Sequence, residues 1–145
     1  MTSMPPEERI GAHIKRAEQA LLAAKSAAFK PTEVTVPQYT ALLWLAEKPG
    51  ISAAALSRLC GVTPPTMNTV LKNLQERGLI ERTPHEWHRN VLETRLTPQG
   101  RTVMERADVE AVRVETALAA ALSAQEREQL IALLGRCAEV LDTLR

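Results

Sequence analysis

Apolar residues recur along this chain at intervals of three and four, and the places where that rhythm starts and stops mark its elements. Ile10, Ile14, Ala17, Leu21, Ala24 and Ala28 keep one stripe, which predicts a first helix over residues 5–28 that ends before Pro31. Residues 32–36 read as a linker. Thr35 and Gln38 then form a candidate capping box, with Pro37 early in a second helix that carries Tyr39, Leu42, Leu43, Trp44 and Leu45 and stops at Pro49-Gly50. Ser52 is placed to cap a short third helix, residues 53–60, whose Leu56, Leu59 and Cys60 are expected to point inward, and Gly61 suits the left-handed turn that ends it.

The next start is the best marked. Thr63 is an N-cap candidate and Pro64 fits the first helical position, where no amide hydrogen is missed. Met67, Val70, Leu71 and Leu74 supply an inward stripe over residues 63–77, while Pro65, Thr66, Asn68, Thr69, Lys72 and Asn73 fall largely on the other side. Short hydroxyl and amide side chains on an outward face suit the major groove of DNA. Two helices joined only by Gly61 and Val62 make the helix-turn-helix pattern, in which the second helix enters the groove.

Gly78 closes that helix, residues 79–82 begin an extended stretch, and residues 91–96 alternate Leu92, Thr94 and Leu96 with Val91, Glu93 and Arg95. The two stretches predict a hairpin across the polar loop 83–90, a wing whose tip holds His85, His88 and Arg89. Thr97 and Pro98 start a long helix to about residue 122, and Ser123 with Glu126 caps another over 124–144. Their stripes, Val103 to Ala121 and Leu130 to Leu144, exceed what a winged helix core needs. A second copy of the chain is the expected cover, giving a homodimer.

Composition adds boundaries. At 145 residues one chain-wide unit is expected, mainly α-helical because aromatic residues make up 3% and the strand formers are scattered. The net charge of +1 gives no global basic field, so a nucleic-acid surface must be local: residues 52–100 carry six Lys/Arg against four Asp/Glu, and 101–145 six against eight. The polar start MTSMPPEE and the lack of roughly 18 uninterrupted apolar residues point away from export and from membranes. Cys60 and Cys137 make no disulfide framework, and a reducing cytoplasm is expected.

The order of elements, with VPQYTALLWLAEKPG before the motif, LSRLCGVTPPTMNTVLKNLQERGLIER through it and LTPQG opening the long helix, resembles the multiple-antibiotic-resistance regulator (MarR) family of bacterial winged helix repressors. The resemblance covers nearly the whole chain. It implies a dimerisation region from residues 5–30 and 98–145, a winged DNA-binding part over 35–97, and one recognition helix and wing per subunit. Two departures stand out. The family wing commonly reads Asp-Arg-Arg; counting back from Leu96-Thr97 puts His88, Arg89 and Asn90 there, so the ion pair that steadies the wing loses its aspartate. Thr69 stands where the family often has arginine, which moves base readout toward Thr66, Asn68, Asn73 and thymine methyl contacts.

The resemblance also implies release from DNA by a small ligand held between the dimerisation helices and the winged part. That crevice would bring together His13, Arg16, Tyr39, Trp44 and Arg101, cationic and aromatic groups suited to a phenolic acid. The expected partner is double-stranded DNA carrying a pseudo-palindrome with half-sites about 10 to 10.5 base pairs apart. The alternative is a winged helix protein-interaction module without DNA binding. No catalytic constellation, metal site or cofactor is expected, since His85 and His88 sit three apart in a loop rather than at metal-protease spacing on a helix.

Overall fold

The computed structural model describes residues 3–145, so Met1 and Thr2 of the polar N-terminal stretch lie outside it. The chain forms six helices and one hairpin among the described residues: α1 Ile10–Phe29, α2 Val36–Glu47, α3 Ala53–Cys60, α4 Pro64–Glu76, β1 Ile80–Pro84, β2 Leu92–Leu96, α5 Pro98–Ala120 and α6 Ala124–Asp142. Each start carries local chemistry. Thr35 accepts from the Gln38 amide while the Gln38 side chain accepts from Thr35 N, and Ser123 and Glu126 repeat that reciprocal box at α6. Ser52 and Thr63 cap α3 and α4, and Gly61 at φ 67° ends α3 in the left-handed region.

Residues up to Ala111 form one compact unit and Val112–Arg145 a second, with α5 contributing to both. The core of the first unit gathers Phe29, Leu42, Leu45, Leu56, Met67, Leu71 and Leu74, all essentially inaccessible to water. Phe29 packs its ring 4.9 Å from that of Tyr39. The start of α5 is joined to the hairpin base by two bonds, the Thr97 hydroxyl donating to Gly78 O at 2.7 Å and Thr97 N to Leu79 O at 3.1 Å, while Gly100 N donates to Thr97 Oγ1 at 3.0 Å and caps the helix.

Several expectations are corrected here. The first helix starts at Ile10 rather than at residue 5: Pro6–Glu8 form a 3-10 turn and Arg9 is extended, because prolines fix the backbone but donate no hydrogen bond. Leu59 is exposed, since an eight-residue helix buries only one face and α3 uses Leu56 and Ser57 for it. Phe29 and the linker residue Val34 are core residues outside the predicted stripes. On α5 the buried set is Gly100, Met104, Ala107 and Ala111.

In the second unit α6 has no buried residue, and Ile131, Val140 and Leu141 are among its exposed apolar side chains. Arg127 Nη1 donates to the carbonyls of Ala119 and Leu122, at 3.0 and 3.4 Å, and so satisfies the end of α5. A groove of about 200 Å³ between these helices is lined by Leu118, Leu122, Leu130, Ile131 and Leu134. No described helix is long and apolar enough to cross a membrane.

Candidate nucleic-acid interface

The outward face of α4 follows from its burial. Met67, Val70, Leu71 and Leu74 are buried, so at about 100° per residue Pro65, Thr69, Lys72 and Glu76 fall opposite them. Asn68 lies on one flank of that strip and Thr66 and Asn73 on the other. All of these are exposed.

The helix N-terminus is short of amide donors. Pro64 and Pro65 have no N–H, Thr66 N donates to Thr63 Oγ1 at 3.3 Å, and Met67 N donates to Thr63 O at 2.9 Å. A helix N-terminus normally holds phosphate through free amides. Here contact must come from side chains. The Thr63 hydroxyl donates to Thr66 Oγ1 at 3.0 Å, which leaves the Thr66 proton available outward. The Thr69 hydroxyl donates to Pro65 O at 3.2 Å, leaving its oxygen lone pairs and methyl group for a partner.

Two residues of α4 are tied to the scaffold. Asn73 Oδ1 accepts from Gln38 Nε2 at 2.8 Å, so the same glutamine closes the α2 cap and braces α4, and only the Asn73 amide donors stay open. Just past the helix, Arg77 Nη1 donates to Glu33 O at 3.2 Å, and Glu33 takes the left-handed conformation at φ 57°. The α1–α2 linker is thereby fastened beneath the end of α4. Lys72 remains the exposed cation of the outward strip.

The hairpin is antiparallel, with Ile80 opposite Leu96 and Pro84 opposite Leu92. Gly50 N donates to Thr94 O at 3.0 Å, which docks the α2–α3 turn on β2. Glu93 Oε2 lies 3.1 Å from Arg95 Nη2, while its other oxygen lies 3.5 Å from His85 Nε2. At the tip His88, Arg89 and Trp87 are exposed; Trp87, at 79% exposure, does not pack beneath the wing.

The expected ligand set is distributed as follows. Tyr39 is buried and its hydroxyl donates to Asp108 Oδ1 at 2.6 Å; Trp44 is half-buried against the core. His13 Nε2 lies 2.9 Å from Glu7 O, and Arg16 and Arg101 are exposed. A more open apolar groove of about 570 Å³, at the α1–α2 junction, is lined by Leu22, Ser26, Phe29, Lys30, Val34 and Val36. Sequence periodicity missed it because the linker residues that wall it belong to no stripe. Among the described residues no group of three or more His, Cys, Asp or Glu is placed to hold a metal.

A capped short helix, a glycine turn, a second helix with its polar face outward and a hairpin directly after it define the winged helix-turn-helix class. A sequence model of the MarR family matches residues 32–89. The HTH-type transcriptional repressor Rv2887 of Mycobacterium tuberculosis is 36% identical over 104 residues, 71% of this chain and 75% of that protein. The crystal structure of Rv2887 in complex with salicylic acid matches with a TM-score of 0.71 and 30% identity, over 89% of this chain and 96% of that one. The transcriptional repressor CouR bound to a 23-mer DNA duplex matches with a TM-score of 0.84 and 27% identity, over 95% and 98%. The chain belongs to the MarR family, as its resemblance implied, and these relatives are named as repressors rather than enzymes.

Proposed function

We propose that this protein is a dimeric, sequence-specific DNA-binding regulator of transcription, acting as a repressor that a small aromatic or anionic compound releases. The observation that carries the reading is the exposed polar face of α4, with Thr66, Asn68, Thr69 and Lys72 outward, in a chain whose wing tip offers Arg89. A relative captured on a DNA duplex supports it. In this reading α4 enters the major groove and Arg89 reaches the neighbouring minor groove. His88 joins it at the backbone. Thr63 and Pro65 contact the groove wall through their apolar surface, and Asn73 contributes only its amide donors.

The exposed apolar faces of α6 and of α5 beyond Ala111 support a homodimer, since such surface left in water favours a second copy. Two symmetric recognition helices then read a pseudo-palindrome with half-sites about one helical turn apart. For the ligand, His13, Arg16 and Arg101 supply cationic groups and Trp44 an aromatic one. Tyr39 offers its ring rather than a free hydroxyl. The α1–α2 groove, with Lys30 at its margin, is of a size that holds a single-ring acid, and a relative bound to salicylic acid supports that chemistry. A ligand acts only through different affinities for the DNA-ready and DNA-incompetent dimers.

The test is selection of bound duplexes from a random pool, with wild type beside Thr69→Ala and Arg89→Ala at two salt concentrations. An enriched inverted repeat, weakened by salt and relaxed in the variants, is the expected result. A well-folded dimer that enriches no motif would refute the reading and favour a protein-interaction module. Arg16→Ala is expected to blunt ligand-induced release from the selected duplex, and an unchanged response would remove Arg16 from the ligand site.

A further inference from the structure

The structure assigns to His85 the role of positioning residue for the wing tip: its imidazole Nδ1 gathers the backbone amides of the loop and so presets Arg89 for DNA. This rests on the DNA-binding reading of the wing. Trp87 N and His88 N both donate to His85 Nδ1, at 3.0 and 3.1 Å. Both donors are backbone N–H groups, so Nδ1 must be the unprotonated nitrogen and the ring proton sits on Nε2. Nε2 faces Glu93 Oε1 at 3.5 Å, and Arg95 holds the other carboxylate oxygen. The His88 ring lies 5.3 Å from the His85 ring, and Glu86 and Arg89 are its remaining charged neighbours in the loop.

Around this ring the loop closes through His85 N donating to Val91 O at 2.7 Å and Val91 N donating to His88 O at 2.8 Å. Trp87, Val91 and Arg89 are exposed, so the tip has little apolar packing to hold it. Its order comes from these four bonds, and His85 accepts two of them. The geometry is that of an Asx-turn, in which a side-chain acceptor takes the amide two residues on, with an imidazole nitrogen in place of the carboxylate oxygen. A preset loop loses less conformational freedom on meeting the groove, so affinity rises without any added contact.

The experiment uses the full chain as wild type, His85→Ala and His85→Asn, each also in an Arg89→Ala background. Imidazole nitrogen NMR reads the protonated nitrogen, amide exchange reads Trp87 and His88, and titration with the selected duplex reads affinity. We expect the proton on Nε2 and slowed exchange at both amides. His85→Ala should lose that protection and weaken binding by about tenfold, while His85→Asn, with an acceptor of similar reach, restores both. In the Arg89→Ala background His85→Ala should add little. A proton on Nδ1, wild-type affinity for His85→Ala, or the same loss with and without Arg89 would each overturn the assignment. A wild type that binds no duplex while the imidazole signature holds would overturn the DNA reading and reduce His85 to a loop anchor.

Discussion

Replacing Gly100 by alanine sets one methyl group against a backbone. Its Cβ would stand 1.8 Å from Leu79 O and 2.8 Å from Leu79 C. Reaching even 3.0 Å requires the hairpin base and the start of α5 to part by about 1.2 Å, and the obstacle is a carbonyl that cannot swing aside like a side chain. That carbonyl also accepts from Thr97 N, whose hydroxyl in turn holds Gly78 O, so parting the two segments strains bonds that fasten the wing to the helix. Overpacking costs about 1 to 3 kcal/mol and each weakened bond about 1 kcal/mol, against a gain of about 1 kcal/mol from alanine's helix propensity. The expected net destabilisation is about 3 kcal/mol, or roughly 6 to 12 °C in Tm. Gly135→Ala is the control: nothing lies within 4 Å of its Cβ position, in the interior of exposed α6, and it should stabilise by up to about 1 kcal/mol. Urea unfolding at matched protein concentration gives both values. If Gly100→Ala came within about 0.5 kcal/mol of wild type, the packing argument for this junction would be refuted.

Four further outcomes are expected. Thr63→Ala should cost about 1 kcal/mol of stability through loss of the α4 cap, with Thr63→Ser close to wild type by urea titration. Burial pushes the Cys60 thiol up from 9.0 to about 11, so at pH 8 only about one thiol in a thousand is ionised, and iodoacetamide should label native Cys60 far more slowly than the unfolded chain. The folded thiol ionises later than the unfolded one, so its contribution to stability is present below pH 9 and is lost as pH rises toward 11; Cys60→Ala should remove that slope. Glu126 is held below the usual carboxylate range by hydrogen bonds from the Ser123 backbone and side chain, so its contribution is present above the ordinary glutamate pKa and disappears as pH falls through the lowered value. Acid titration of Glu126→Gln should lack that component.

What the chain made legible was local. Thr35, Ser52, Thr63 and Ser123 each satisfy an amide three residues on, so the residue types alone located those helix starts. Met67, Val70, Leu71 and Leu74 were readable because a 13-residue helix completes enough turns to define a face. Leu59 was not, because eight residues define one poorly. Pairings across long separations left no mark: Tyr39 meets Asp108 and Gln38 meets Asn73 through tertiary packing that no periodicity encodes. His85 is a different failure. Its bonds reach only two and three residues, but imidazole is not among the side chains ordinarily read as turn formers.

Gln38 joins positions that sequence spacing keeps apart: it accepts from Thr35, donates to Asn73, and leaves neither amide end spare. Such an arrangement leaves a signature in descent. Among close relatives residues 35, 38 and 73 should change together, because a lone replacement breaks the tie between the two helices, whereas Thr69 and Lys72 should drift with the operator each protein reads.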